Sequence, residues 1–382
     1  MKKIFESKKG YIVLFTITLV LVTFFMVVTC RNYFLKDEKF VISRTIINNG
    51  IMLEKTNYYV ALNKTFEIDL TNPNNIEYKI NIDNNEIVTL ENNILTARNI
   101  GSTGFSIEID GFKCFNGTIY VANGLEIPGE LFNKKKKFIS CNLFSEEEND
   151  ILDAALLDRV NNAGESTRAG VVAAARFLTL EFSYRIPYFY ENGRLNNYGN
   201  IAKVDGEGRY YHKGLYLNKS RYSGIAKKFT GPGAWGCKIT QYQDEPAYGF
   251  VPRVKYPNGL DCSGFVSWTL LNGGFDVGDV GAGDIISRTD DLYDLGEKNV
   301  LNNKLLSSGK IKVGDLIAYS GHMAIIAGID NDGNYYVAES LPQFKGVVLN
   351  KYNQTKLKKN FTHIMLMDSV YKEDGNLTNM WY

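Results

Sequence analysis

Two side chains in this sequence have the types and settings needed to attack an amide, Cys262 and His322. Cys262 lies in Gly259-Leu260-Asp261-Cys262-Ser263-Gly264-Phe265-Val266, just before the apolar run Phe265-Val266-Ser267-Trp268-Thr269-Leu270-Leu271. That run predicts a buried helix with the cysteine at its N-terminus. The positive end of the helix dipole favours thiolate over thiol there. Ser263 suits a helix entry as a cap, and Gly264 lets another chain come close. Sixty residues on, Gly321-His322-Met323-Ala324-Ile325-Ile326-Ala327-Gly328 places an imidazole at the start of an apolar strand. Imidazole titrates near neutrality and can serve as base and then acid in one cycle. A helix-borne Cys with a strand-borne His is a nucleophile–base pair. The competing reading of a cysteine taken alone is a buried structural thiol.

Asp261-Cys262-Ser263-Gly264, Gly314-Asp315 and Gly321-His322, in this order, resemble the NlpC-type family of bacterial cell-wall cysteine peptidases. Ala173-Ala174-Ala175-Arg176-Phe177 and Ile186-Pro187-Tyr188 resemble the family's lead-in helix and Pro-Tyr turn. The resemblance spans about residues 165–370. It implies a papain-like α+β fold and cleavage of peptidoglycan stem peptides, often the bond from γ-D-glutamyl to a diamino acid. One departure is large: 65 residues, 194–258, separate the Pro-Tyr turn from the Cys motif, where the family usually has a short loop.

A third group must orient the imidazole and stabilise it when charged. The family uses a polar residue on the strand after the His strand, more often His, Asn or Gln. Here that strand holds Tyr335, Val337 and Glu339 on one face and Tyr336, Ala338 and Ser340 on the other. Glu339 is its only carboxylate and the candidate, against a solvent-facing strand-end glutamate. The oxyanion needs donors. The Cys262 N–H is one, and the resemblance offers the Tyr188 hydroxyl as another; the alternative for Tyr188 is one more aromatic in an aromatic-rich segment. Asp261 and Ser263 either bind substrate amines or fix the loop. His212 and His363 read as structural. No metal and no organic cofactor is needed.

The elements that must position these residues follow from composition and patterning. The chain has 382 residues and a net charge of +1, which gives no electrostatic case for nucleic acid. Its five cysteines, Cys30, Cys114, Cys141, Cys237 and Cys262, show no Cys-x-x-Cys spacing. This argues against a zinc site and against a disulfide framework. Between Lys9 and Arg31 lie 21 uncharged residues, long enough to span a bilayer as a helix. Lys2, Lys3, Lys8 and Lys9 precede them, while the far flank mixes Arg31 and Lys36 with Asp37 and Glu38. The positive-inside rule then keeps the N-terminus in the cytoplasm and the bulk outside. A cleaved signal peptide and a lipobox at Cys30 are the rival readings; no Ala-x-Ala site follows, and Thr29 is poorly suited before a lipidated cysteine.

The expected organisation is therefore a cytoplasmic N-terminus (1–9), a transmembrane anchor (10–30) and a juxtamembrane segment (31–49). A small β-sandwich (50–122) comes next, a linker (123–150), the peptidase domain (151–370, insertion 194–258) and a tail (371–382). Period-two alternation in Thr65-Phe66-Glu67-Ile68-Asp69-Leu70 and Phe105-Ser106-Ile107-Glu108-Ile109-Asp110 predicts the strands of the sandwich. Its segment 86–104 resembles bacterial immunoglobulin-like domains, implying a spacer. Lys134 to Lys137 and Glu146 to Glu148 read as solvated flexible chain, the lysines alternatively touching anionic wall polymer or lipid. Helical patterning starts at Ile151 and resumes after a Ser166-Thr167 cap. Beyond Cys262 a glycine-rich loop, 273–283, leads to strands at 315–319, 322–328, 334–339, 346–349 and 363–367. The insertion either narrows specificity as a cap over the cleft or completes the core. The expected function is a membrane-anchored extracellular cysteine peptidase on peptidoglycan. Its rivals are a thiol acyl-enzyme acting on other amides or lipid esters, and a non-catalytic adhesin.

Overall fold

The computed structural model describes residues 46–48, 50–126, 136–190, 213–218, 234–240, 246, 249–277, 281–282 and 292–377. The expected anchor at 10–30, His212 and much of the insertion lie outside them. Among the described residues no helix is long and apolar enough to cross a membrane. The chain is mixed α/β with several sheets, and it divides into two compact units.

The first unit comprises the described residues up to 58, with 65–96 and 102–119. Strands β1 (Ile46–Asn48), β2 (Ile51–Leu53), β3 (Asn57–Ala61), β4 (Thr65–Phe66) and β5 (Leu70–Thr71) come first. They are followed by β6 (Lys79–Ile82), β7 (Val88–Glu91), β8 (Ile94–Ala97), β9 (Gly101–Ile109) and β10 (Phe112–Ala122). The sheet orders are β1-β2-β5, β4-β8-β7 and β3-β10-β9-β6. In β9, Thr103, Phe105, Ile107 and Ile109 are buried and Ser102 is exposed, as a period of two requires, but Ser106 on the opposite face is buried as well. Asn92 and Asn93 both take positive φ between β7 and β8, the backbone a two-residue hairpin turn requires.

The second unit holds the helices α1 (Glu146–Ala163), α2 (Arg168–Arg176), α3 (Cys262–Asn272), α4 (Asn303–Leu306) and α5 (Gln354–Asn360). Strand β11 (Lys137–Phe138) runs parallel to β12 (Tyr184–Arg185), and β13 (Lys238–Thr240) antiparallel to β14 (Lys255–Pro257). The main sheet uses β15 (Glu297–Val300), β16 (Leu316–Tyr319), β17 (His322–Ile329), β18 (Tyr335–Leu341), β19 (Gly346–Tyr352) and β20 (His363–Leu366). Its order is β15-β20-β16-β17-β18-β19, with every neighbour antiparallel. One face buries Leu316, Ala318, Met323, Ile325 and Ala338 in the core that Phe265, Val266 and Trp268 of α3 share. The other buries Ile317, Ala324, Ile326 and Val337 with Leu357 of α5 and Phe361.

Three expectations are corrected here. Residues 136–150 are not solvated linker. The Lys136 ammonium donates to the carbonyls of Leu178 (3.3 Å), Thr179 (2.6 Å) and Phe182 (2.7 Å). Those are carbonyls that a helix end leaves without partners, as α2 passes into a π turn at Phe177–Glu181. The acidic run Glu146-Glu147-Glu148 is the first turn of α1, not loose chain. Ser145 caps it, and Glu148 completes a capping box by accepting from the Ser145 N–H at 3.0 Å. The third correction concerns Cys141 and Cys237, which form a disulfide. Their separation of 96 residues carries no local signature; tertiary packing alone brings them together.

Gly314-Asp315 has a structural explanation. Arg168, fully buried at the start of α2, pairs with Asp315 at 2.8 Å, and Asp315 also accepts from the N–H groups of Met367 and Lys312. Gly314 has φ +95°, and a Cβ there would lie 2.9 Å from the Arg168 side chain. The turn thus locks α2 to the main sheet. Arg168→Ala strands a buried carboxylate and is expected to cost about 3–5 kcal/mol in urea unfolding. A loss under about 1 kcal/mol would assign Asp315 to its backbone donors alone.

Candidate active site

The loop that leads into Cys262 is gripped from both sides. Pro187 accepts from the Leu260 N–H at 3.0 Å, and Ser340 Oγ donates to the Leu260 carbonyl at 2.7 Å. Gly259 admits this contact, since a Cβ there would meet the Pro187 carbonyl oxygen at 1.8 Å. Asp261 then caps α3, accepting from the Gly264 N–H at 2.7 Å and from Ser263 Oγ at 3.1 Å. Of the two roles open to Asp261 and Ser263, this geometry is the loop-fixing one.

Cys262 is the first residue of α3 and is 8% exposed. Its Sγ lies 3.8 Å from the Gly321 carbonyl, with the N–H of Met323 also turned toward it. The sulfur therefore sits against the backbone on either side of His322. Burial, and secondarily the Asp261 carboxylate, push the thiol up to about 12. That corresponds to roughly 4 kcal/mol against the thiolate. The helix dipole, worth at most about 2 kcal/mol, does not offset it alone. A proton acceptor has to supply the rest.

His322 is fully buried, as is Glu339. Its Nε2 and Glu339 Oε2 are 2.9 Å apart. A carboxylate there holds the proton on Nε2, so in the neutral ring Nδ1 is the basic nitrogen. Nδ1 is buried and has no hydrogen-bond partner; the thiol bonds the Gly321 carbonyl instead. A buried acceptor left unpaired is costly and calls for a reason. Catalytic hydrogen bonds are often long before substrate binds.

The other oxygen of Glu339 accepts from Asn350 Nδ2 and Tyr352 Oη, both at 2.7 Å. Glu339 thus lies inside β18 and faces the imidazole, not solvent. The turn carrying His322 is pinned by Tyr293, whose hydroxyl accepts from the Gly321 N–H at 3.1 Å and donates to the Tyr319 carbonyl at 2.9 Å. The rings of Tyr319 and Phe361 flank the imidazole at 4.9 and 6.0 Å. Sequence reasoning missed Asn350, Tyr352 and Tyr293. The first two fall past the predicted strand end at 349, and counting by two from Val348 would have found them.

Tyr188 follows the proline that grips the loop, and its ring packs on Phe250 at 5.7 Å. Both line a pocket of about 430 Å3 with Phe138, Tyr256, Pro342 and Lys345, a lining that does not include Cys262. Of the described insertion, residues 215–217 and 234–237 join the core, while Phe250 and Tyr256 line the pocket. Leu215, Leu217 and Trp235 are buried beneath α3, and Trp268 Nε1 donates to the Gly214 carbonyl at 2.8 Å. His363 lies away from the site, bonded through Nδ1 to Thr362 Oγ1 at 2.9 Å. Models of known protein families give no match to this chain, and curated proteins give none either.

Proposed function

We propose that this chain is a papain-like cysteine endopeptidase of the NlpC type, acting on peptidoglycan stem peptides. The observation that carries the reading is the buried His322–Glu339 pair, its basic Nδ1 unpartnered, on the turn against which the Cys262 sulfur sits. In the reaction His322 Nδ1 takes the thiol proton and Sγ attacks the carbonyl carbon. The Cys262 N–H, with Tyr188 as second candidate, stabilises the oxyanion. The imidazolium gives its proton to the leaving amine, and water then releases the acyl group from sulfur. The substrate class rests on the sequence resemblance. An extracellular site, tethered by residues 10–30 with the immunoglobulin-like unit as spacer, agrees with the Cys141–Cys237 disulfide, since such bonds persist in oxidising compartments.

A second reading, a thiol acyl-enzyme on apolar acyl groups, draws on the aromatic lining of the pocket beside Tyr188. Digestion of purified wall by the full chain, with mass analysis of the fragments, separates the two. New stem-peptide termini that Cys262→Ala does not produce are the expected result. An intact wall, with turnover of acyl esters instead, would overturn the peptidase reading.

A further inference from the structure

We infer that Asn350 and Tyr352 are positioning residues that hold Glu339 as an oriented carboxylate on His322, an inference that rests on the cysteine-peptidase reading. The geometry is specific. Glu339 pairs in register with Val348, so Val348, Asn350 and Tyr352 share its face of the sheet. Both polar residues donate to Oε1, leaving Oε2 for the imidazole. A carboxyl group this buried is costly unless donors compensate. Two donors on the far oxygen fix the carboxylate plane and aim the near oxygen at the imidazole.

The other groups around this carboxylate do not supply that service. From β17 comes His322 itself, from β16 Tyr319, and from β18 Tyr335, whose phenol is raised by burial. Leu357 and Phe361 cover the same face. On α5, Lys356 and Lys359 are exposed, and Lys358 bonds Asn303. Tyr352 itself is held protonated, by burial first and then by the Glu339 charge, so it is a donor throughout the working pH range.

The test is site-resolved alkylation of Cys262 by iodoacetamide across pH in the full chain, with wall digestion measured on the same samples. Tyr352→Phe keeps the ring packed on Phe361 and removes one donor. With one donor gone the carboxylate is less firmly oriented on the imidazole, so the His322-dependent limb of alkylation is expected to shrink. The neutral-pH rate should fall roughly tenfold. Asn350→Asp replaces the donor by a second acceptor beside Glu339 and should shrink the limb further. In digestion the loss should fall on kcat and leave KM unchanged. Wild-type limbs in both variants, with folding verified by thermal melts, would overturn the inference. So would wild-type alkylation that does not depend on His322. A wild type with the His322-dependent limb that leaves wall intact would sink the substrate reading while the positioning role stands.

Discussion

Cys262→Ala is expected to abolish hydrolysis, a loss on the order of 10^5-fold or more. Among the described residues the other free thiol is Cys114, in β10 of the first unit, where it lies near the Phe112 carbonyl at 3.3 Å. The fold of Cys262→Ala should survive, because α3 keeps its Asp261 cap and its buried face. The same site predicts a pH signature. Burial disfavours the charged form of Cys262, which raises its titration toward about 12. Without a proton acceptor the sulfur should react only under strongly alkaline conditions. His322→Ala is therefore expected to lose alkylation of Cys262 near neutral pH and regain it as pH rises toward that limit. The wild type, able to form a thiolate–imidazolium pair, should react near neutrality. Equal neutral-pH rates in the two proteins would dismiss His322 as the acceptor, and residual wall digestion by Cys262→Ala at the wild-type rate would dismiss the thiol mechanism altogether.

The parts of this arrangement legible in the sequence were those set by local pattern. Short, nearly continuous apolar runs mark β16, β17 and β18, buried on both faces, and Asp330-Asn331-Asp332-Gly333 marks the turn before β18, with Gly333 at φ +73°. The cap and apolar run of α3 likewise depend on neighbours in sequence. What stayed hidden was set by distance. The Cys141–Cys237 bond joins segments 96 residues apart. Lys136 looks like part of a solvated basic run until the carbonyls at the end of α2 are placed around it. The acidic run before Ile151 holds both alternatives locally, and its capping box decides for helix. Strand β15, short and carrying Glu297, Lys298 and Asn299, has no apolar period; its pairing to β20 defines it.

Glu339 shows how far burial changes the meaning of a residue. At a strand end in water a glutamate is unremarkable. Inside β18, with His322 on one oxygen and Asn350 and Tyr352 on the other, it is a carboxyl group fixed in orientation beside the candidate base. Removing one partner of such a group costs more than its contacts suggest, because the donors left behind are buried too.

The second large effect is therefore expected at Glu339. Glu339→Gln keeps the size but removes the charge and replaces one accepting oxygen by an NH2 donor, and activity should fall roughly a hundredfold or more, since the imidazolium loses its counter-charge. The sign follows from the chemistry. A carboxylate favours the protonated ring, so without it the ring yields its proton more readily. The thiolate–imidazolium pair is then less populated and loses its imidazolium proton at lower pH, so the rate profile falls in height and its alkaline limb moves down. Glu339→Ala should lose more activity than Glu339→Gln, because it also frees the ring to turn. It should in addition destabilise the fold by about 3–5 kcal/mol, leaving the His322, Asn350 and Tyr352 donors without an acceptor around a new cavity. Measuring both variants across pH, alongside urea unfolding, separates these contributions. A Glu339→Gln profile as wide and as high as the wild type would remove the charge from the mechanism. The orienting group would then be the hydrogen bond alone, and the ring's tautomer, not its charge, would be what β18 controls.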